Sequence, residues 1–521
     1  MKKLLPLLVL LTQTTMLSAQ ITFQKTYGYS GSEFAGSSAK TRDGGFIMTG
    51  ASENGANNTG DVYVVKTDSA GILQWANTYG TINDEQGAQV SQTADGGYII
   101  TGYYDNDHSG KKLLLMKLTA TGGLSWTRSY GVNSSTASTY NEEGYYVLQT
   151  PDKGYLVSGA SLFGMYIIKT DSMGVQQSSR VFNVTYSNVM QQTSDGNYVL
   201  MGTFYPNSTS TIVIYLVKIT ANGSVLWEKF INDPFDNLIV SSFQQTTDKG
   251  FIISGSTYIN GSSTTTYTPC LIKTDSSAIP QWSKTYSWQN SQGVFVIQTH
   301  DGGYALCSNR ADGGSGNLFL LKTEPNGSLQ SAITYGDSSL SYHTSFVKNI
   351  VQTHDKGFAL CGYIYELGSG GACYLIKTDS LLNSGCHQWP ISPLTNTISL
   401  ISNTTYTVTK SPAGFDSTLT LSSVSQGTEN VFCFWASGIN KIQQQSNIAI
   451  YPNPASNQLF IDASTSNKLN INIHDVNGKQ ILSTTVNDKS VLDISTFSNG
   501  VYTLTLISST FSESKKLVII K

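Results

Sequence analysis

Lysine and aspartate recur together along this chain, and their charge and spacing are the first features that suggest chemistry. A ring of ammonium groups could bind an anion, whereas ion pairs between each lysine and a nearby aspartate would need no ligand. We favour the structural explanation, internal pairing or plain solvation. The lysines are Lys66, Lys117, Lys169, Lys218, Lys273, Lys322 and Lys377, and the aspartates are Asp43, Asp95, Asp152, Asp195, Asp248, Asp301 and Asp355.

Two histidines directly precede aspartates of this series. His300 precedes Asp301, and His354 precedes Asp355. Four nitrogen and oxygen ligands at one rim could bind a divalent metal. No third repeat carries the histidine, and equivalent positions in neighbouring repeats need not point to one place. We therefore predict no metal site.

No motif for catalysis is present. The chain has no nucleophile in a strained elbow, no His-x-x-x-His pair and no paired carboxylates in a distinctive context. We therefore predict no catalytic or cofactor-binding residues and no cofactor. An enzyme stays open as an alternative, because an active site built from single residues of several repeats leaves no motif.

The aspartates mark an internal repeat. The steps between them are 52, 57, 43, 53, 53 and 54 residues. Each stands in a tight-turn sequence such as Asp95-Gly96-Gly97-Tyr98, and an apolar run typical of a strand buried on both faces follows. Four strand-like runs per period predict one blade of a seven-bladed β-propeller per period. Four tryptophans at one repeat position, predicted to pack blade against blade, are Trp75, Trp126, Trp227 and Trp282.

The two ends of the repeat array complement each other. The seventh copy lacks a clear last strand after Lys377, and the N-terminal stretch Phe23–Gly28 supplies an orphan one. We predict that this stretch completes the last blade and closes the ring, which leaves no open edge there. The alternative is an open stack of repeats with capped ends.

Composition and the N-terminus indicate export. Charged residues are 12% of 521, and the net charge of −3 gives no reason to expect nucleic acid as a partner. Residues 1–19, with Lys2-Lys3 and an apolar run, predict a secretory signal peptide. After this segment the chain has no run of about 18 apolar residues, so we predict no transmembrane helix. In an oxidising compartment Cys386 and Cys433 could pair as a disulfide or stay free.

The repeats occupy only part of the chain. Residues 20–382 are predicted to be the propeller, and 383–445, rich in threonine and serine, a β-rich linker segment. Residues 446–521 carry about seven short alternating strands, which predict a small Ig-like β-sandwich. The whole chain is therefore expected to be all-β.

Four motifs in the last segment resemble a known family, the type A C-terminal sorting domain of the type IX (Por) secretion system. They are Tyr451-Pro452-Asn453-Pro454, Asp475-Val476-Asn477-Gly478-Lys479, Ser498-Asn499-Gly500-Val501-Tyr502 and the terminal stretch that begins Lys515-Lys516. The resemblance implies passage through the periplasm, the secretion machinery as a partner, and release or attachment at the cell surface.

Two functions from different classes follow for the propeller. The favoured one is a non-catalytic binding or adhesion module for glycans or surface proteins, because a rigid ring presents loops and a central funnel for recognition. The alternative is an extracellular polysaccharide hydrolase or lyase with its active site on the propeller rim.

Overall fold

The structure is a computed structural model of the chain and is all-β. It describes residues 20–28, 31–53, 59–105, 110–131, 142–161, 163–182, 184, 186–204, 212–232, 238–260, 265–288, 290–310, 318–336, 344–366, 370–403, 410–411, 415–418, 422–425, 428–437, 448–463, 469–475, 480–486, 489–507 and 512–521. The predicted signal peptide, residues 1–19, lies outside this set. Two compact units are present: Ile21–Phe434, and a smaller one that includes Trp435–Lys521.

The larger unit repeats one four-strand antiparallel arrangement. After β1, Gln20–Gly28, the strands follow in chain order in groups that we number as sheets 1 to 7. Sheets 1 to 3 contain β2 Ser32–Lys40, β3 Phe46–Glu53, β4 Gly60–Thr67 and β5 Leu73–Gly80; β6 Asp84–Gln92, β7 Tyr98–Asp105, β8 Lys111–Leu118 and β9 Leu124–Gly131; and β10 Glu143–Gln149, β11 Tyr155–Ser161, β12 Gly164–Thr170 and β13 Gln176–Phe182.

Sheets 4 to 7 continue the same order. They contain β14 Tyr186–Gln192, β15 Tyr198–Phe204, β16 Val213–Ile219 and β17 Val225–Asn232; β18 Leu238–Gln245, β19 Phe251–Asn260, β20 Thr265–Thr274 and β21 Pro280–Ser287; β22 Ser291–Gln298, β23 Tyr304–Arg310, β24 Leu318–Thr323 and β25 Leu329–Tyr335; and β26 Thr344–Gln352, β27 Phe358–Glu366 and β28 Gly370–Thr378. Such repeated sheets are consistent with propeller-like blades.

The N-terminal strand completes sheet 7, as predicted. β1 pairs antiparallel with β28, and Phe23 lies opposite Lys377. Each sheet contacts the next along the chain, and sheet 7 contacts sheet 1, so the circuit is closed. At that junction the Phe34 and Tyr363 rings meet edge to face, with centroids 5.3 Å apart. The predicted closure is therefore confirmed.

Aromatic packing between successive sheets repeats as well. Four tryptophans of the outer strands each contact an aromatic ring of the next sheet, as the sequence predicted, with ring centroids 5.7–6.3 Å apart. The pairs are Trp75–Tyr98, Trp126–Tyr155, Trp227–Phe251 and Trp282–Tyr304. Rings at such separations add stabilisation beyond the area that they bury.

Residues 388–437, within the predicted linker, add a fifth strand to every sheet, and we call this segment the belt. Its strands take the sheets in the order 6, 5, 4, 3, 2, 1 and 7. They are β29 Gln388–Pro390, β30 Leu394–Thr397, β31 Ile401–Asn403, β32 Lys410–Ser411, β33 Phe415–Thr418, β34 Ser422–Ser425 and β35 Thr428–Ser437. Each belt strand pairs with the outermost of the four repeat strands, so the edges that invite association between chains are covered.

The smaller unit has two sheets around one core. The sheet orders are β36-β37-β40 and β39-β38-β41-β42. The strands are β36 Ile448–Tyr451, β37 Gln458–Ala463, β38 Leu469–His474, β39 Gln480–Val486, β40 Lys489–Asp493, β41 Gly500–Ile507 and β42 Ser512–Ile519. Both sheets contribute fully buried side chains, among them Leu459 and Leu504, to a single apolar cluster.

Candidate functional site

The repeated aspartates and lysines form seven ion pairs within the sheets. Each lysine nitrogen lies 2.5–2.9 Å from its aspartate oxygen. Lys66, a buried example, also donates to the Thr67 carbonyl at 2.7 Å and to Gln74 Oε1 at 2.9 Å. An ammonium group has three donors, so all three of Lys66 are used within the protein. All seven lysines are therefore paired with turn aspartates, which is the internal pairing that we favoured, and the ammonium group of Lys66 has no donor left for an external anion.

The aspartate of each pair also organises its turn. Asp152 Oδ1 accepts hydrogen bonds from the Thr150 hydroxyl at 2.5 Å and from the Gly154 N–H at 3.1 Å. Its other oxygen faces Lys169 at 2.8 Å. The hydrogen bonds from Lys169 and Thr150 outweigh the opposing effect of burial and lower the pKa of Asp152 to about 2.

The two histidines lie at exposed turn positions. The His300 backbone N–H donates to Gln352 Oε1 at 2.9 Å, a contact that joins sheet 6 to sheet 7. His354 is exposed at the equivalent place in sheet 7. Among the residues that the structure describes, no three His, Cys, Asp or Glu side chains are grouped so that they could hold a metal ion.

One cysteine differs from four others. Cys386, just ahead of the belt, is disulfide-bonded. The side chain of Cys433, its expected partner in β35, lies outside the described part of the chain. Four buried cysteines of the repeats are thiols and not part of a disulfide: Cys270, Cys307, Cys361 and Cys373.

Each sheet has a β-bulge at one repeat position. The register between the first and second strand shifts at one residue, which lies seven positions before the turn aspartate in every repeat. A bulge interrupts the backbone ladder at one residue and re-aims its side chain. The bulge residues are Gly36, Ala88, Tyr145, Asn188, Ser241, Val294 and Lys348.

The residue after the bulge joins neighbouring sheets. Gln89 Oε1 accepts the Val147 N–H at 2.9 Å, and Ser242 Oγ accepts the Val296 N–H at 3.2 Å. These bonds link sheet 2 to sheet 3 and sheet 5 to sheet 6. Such bonds hold the first strands of neighbouring sheets together, and they therefore fix the geometry of the bulges. We call this set of first strands, with the turn ion pairs, the frame.

The bulge residues meet at a cavity of about 420 Å³. Six of them line it, contributed by β2, β6, β10, β18, β22 and β26, while the side chain of Asn188 lies outside the described residues. The remaining lining comes from five of these strands, β2, β6, β10, β18 and β22: Ser37, Gln86, Gln89, Tyr146, Ile239, Val240 and Phe295. First strands from six of the seven sheets therefore build this one concave site, which has the size of a small-molecule pocket.

Lys348 is the one charged residue among those that line the cavity. Its Nζ lies 5.8 Å from the centroid of the Tyr363 ring, which in turn stacks on Phe346 at 5.0 Å. Burial lowers the pKa of Lys348. The recurring residues of the sequence do not indicate Lys348. The signal that does is a fixed position in the repeat, seven residues before the turn aspartate, whose residue type differs in every copy.

Two of the sorting motifs bind backbone groups of residues 518–521. Asn453 Oδ1 accepts the Val518 N–H at 2.9 Å, and Asn499 Oδ1 accepts the Lys521 N–H at 2.8 Å. Tyr502 donates its hydroxyl to the Ser498 carbonyl at 2.9 Å. Motifs that are far apart in sequence are thus tied together by side chains that bind backbone groups.

The other motif residues have mixed placements. Tyr451 is half exposed and stacks on Phe460, with ring centroids 5.6 Å apart and an interplanar angle of 7°. Pro452 and Pro454 are exposed, and Asp475 is partly buried. Gly500 begins β41, and Lys515 lies in β42. Asn477, Gly478, Lys479 and the side chain of Lys516 lie outside the described residues.

A family comparison identifies this C-terminal part. Residues 449–520 match the model of the secretion system C-terminal sorting domain. These residues are a type IX secretion system sorting domain. The sorting domain directs the chain to the cell surface or the medium and implies interaction with the type IX machinery. The part of the chain that the structure describes contains no helix long and apolar enough to cross a membrane.

Solved structures show distant similarity to this chain. Sqt1 from Chaetomium thermophilum is 10% identical, with 71% of this chain and 88% of that chain covered and a TM-score of 0.36. Drosophila Plexin A, solved in complex with Semaphorin 1b, is 8% identical, with 69% and 88% covered and a TM-score of 0.37. No curated protein matches this chain.

Proposed function

We propose that this chain is an exported, non-catalytic binding or adhesion protein whose ligand is a glycan or a surface protein. In this proposal sheets 1 to 7 are the blades of a seven-bladed β-propeller built by residues 20–382, and residues 383–445 wrap around it. The Ig-like sandwich of residues 446–521 is the export signal, and residues 1–19 are a cleaved signal peptide.

The observation that carries the proposal is the contrast between a constant frame and a variable cavity lining. The turn ion pairs recur in all seven repeats. The bulge position, by contrast, is occupied by a different residue type in each repeat. Repeated sheets that place six different residue types around one cavity are what recognition of a particular ligand requires.

The lining supports binding over hydrolysis. Glycoside hydrolysis by the common mechanisms needs two carboxyl groups on opposite sides of the scissile bond. The residues that line the cavity in the described part of the chain include no aspartate and no glutamate. The amide, hydroxyl and aromatic side chains that are present suit hydrogen bonding and packing instead.

A glycan array combined with a hydrolysis screen tests the proposal on the full mature chain. We expect binding to at least one array glycan or to a bacterial surface protein, without turnover. Ala88→Trp should fill the cavity and abolish that binding, whereas Ser69→Trp, at an exposed turn, should leave it unchanged. Efficient turnover of any glycan, or binding that Ala88→Trp does not affect, would overturn the proposal.

A further inference from the structure

The cavity has an unbalanced charge. Thirteen residues line it, and Lys348 alone among them carries a formal charge. As the bulge residue of β26, Lys348 projects from the frame at the position where other repeats have small or neutral side chains. The inference drawn from it rests on the proposed function, because the cavity is taken as the ligand site.

Lys348 differs from the seven repeated lysines in its partners. The ammonium of Lys66 has three oxygen partners inside the protein. Among the described residues no carboxylate forms an ion pair with Lys348, and its Nζ lies over the face of the Tyr363 ring, 5.8 Å from the centroid. A partly buried cation without an anion is costly, and a ligand anion that enters the cavity relieves that cost.

The remainder of the lining indicates what the anion is attached to. Ser37, Gln86 and Ser241 provide hydroxyl and amide groups that suit a ligand rich in hydroxyls. Phe295 and Tyr145 provide aromatic surface for an apolar face of the same ligand. A sugar ring has both features, and a carboxylate on it supplies the negative charge.

We propose that the cavity binds an acidic sugar, with the carboxylate of a uronic acid residue paired to Lys348 Nζ. The hydroxyl groups of the sugar bond to the serine and glutamine side chains of the lining. The ion pair makes the site select charged sugars over neutral ones.

Calorimetric titration of the full mature chain at constant ionic strength tests this proposal with three probes: sodium glucuronate, glucose and sodium sulfate. We expect glucuronate to bind tightest. Lys348→Gln should weaken glucuronate binding roughly 10- to 100-fold, the range expected when a hydrogen bond to a charged group is lost, and should leave glucose binding unchanged. Lys229→Gln, in β17 and outside the lining, is the matched control and should behave as the parent chain.

Three results would overturn the acidic-sugar assignment: glucose binding as tightly as glucuronate, no effect of Lys348→Gln, or sulfate binding as tightly as glucuronate. If Lys348→Gln fails to fold, Lys348→Met serves as the second variant, with the same expected loss. Binding of neutral glycans that Ala88→Trp abolishes, without a preference for uronates, would refute this assignment and leave the proposed function standing. Absence of all ligand binding would refute both.

Discussion

Closure of the ring through β1 makes a prediction about a single residue, Phe23. This side chain is fully buried, and its ring lies so close to Gly71 of sheet 1 that an added Cβ there would be 2.5 Å from Phe23 Cζ. Tyr27, on the same strand, donates its hydroxyl to the Gly71 carbonyl at 2.6 Å. Because β1 belongs to sheet 7, these contacts join the last sheet to the first.

Phe23→Ala should therefore destabilise the whole ring and not only its N-terminus. Removal of a buried phenylalanine side chain costs about 3–5 kcal/mol. A unit of roughly 400 residues has an unfolding entropy near 0.8 kcal/mol per degree, so the melting temperature should fall by about 4–6 °C. Differential scanning calorimetry of the mature chain measures this shift.

Phe163→Ala is the matched control, because Phe163 is 53% exposed and its truncation should change the melting temperature by less than about 1 °C. Circular dichroism should show that both variants keep the β-sheet content of the parent. If Phe23→Ala melted together with Phe163→Ala, the reasoning that β1 closes the circuit would be refuted.

Three further predictions concern charge, covalent structure and export. The folded-state pKa of Asp152, about 2, is below the ordinary value near 3.9, so its pairing with Lys169 stabilises the fold above about pH 4, and this stabilisation is lost as pH falls through about 2. Asp152→Asn should therefore have a lower melting temperature at pH 6 and a shallower dependence of that temperature on pH between pH 5 and 2. A pH profile equal to that of the parent chain would contradict this. We propose that Cys386 pairs with Cys433, 47 residues later. Loss of this link in Cys433→Ser should lower the free energy of unfolding of the mature chain by about 4 kcal/mol, because the unfolded chain gains the entropy of the opened loop. A peptide map without the Cys386–Cys433 link would be the contrary result. A chain truncated before residue 446 should fold and accumulate in the periplasm of a host with the type IX system, and export equal to that of the full chain would show that residues 446–521 are not the address.

Sequence was sufficient for features that repeat or that match a family. The turn aspartates, the orphan strand around Phe23 and the sorting motifs all follow from spacing or from residue type. The belt did not follow, because strands of two to four residues such as β32 carry no periodicity and bind their neighbours through backbone groups. The outer edge of each of sheets 1 to 7 has to be covered, but no signal in the sequence specifies which segment covers it.

The cavity was missed for a different physical reason. A bulge is a backbone irregularity, and the residue within it is not constrained by the strand pattern that identifies the repeat. Lys348 therefore looks unremarkable within β26 and stands out only once the first strands of the sheets are brought together around one space.

Hydrogen–deuterium exchange of the full mature chain, with and without the best ligand from the glycan array, tests the central claim most directly. Because the bulges line the ligand cavity, exchange should slow in β2, β6, β10, β18, β22 and β26 around Gly36, Ala88, Tyr145, Ser241, Val294 and Lys348. Outer strands and the belt should keep their exchange rates. Protection confined to the outer strands, the belt or the exposed turns would contradict a ligand site at the cavity.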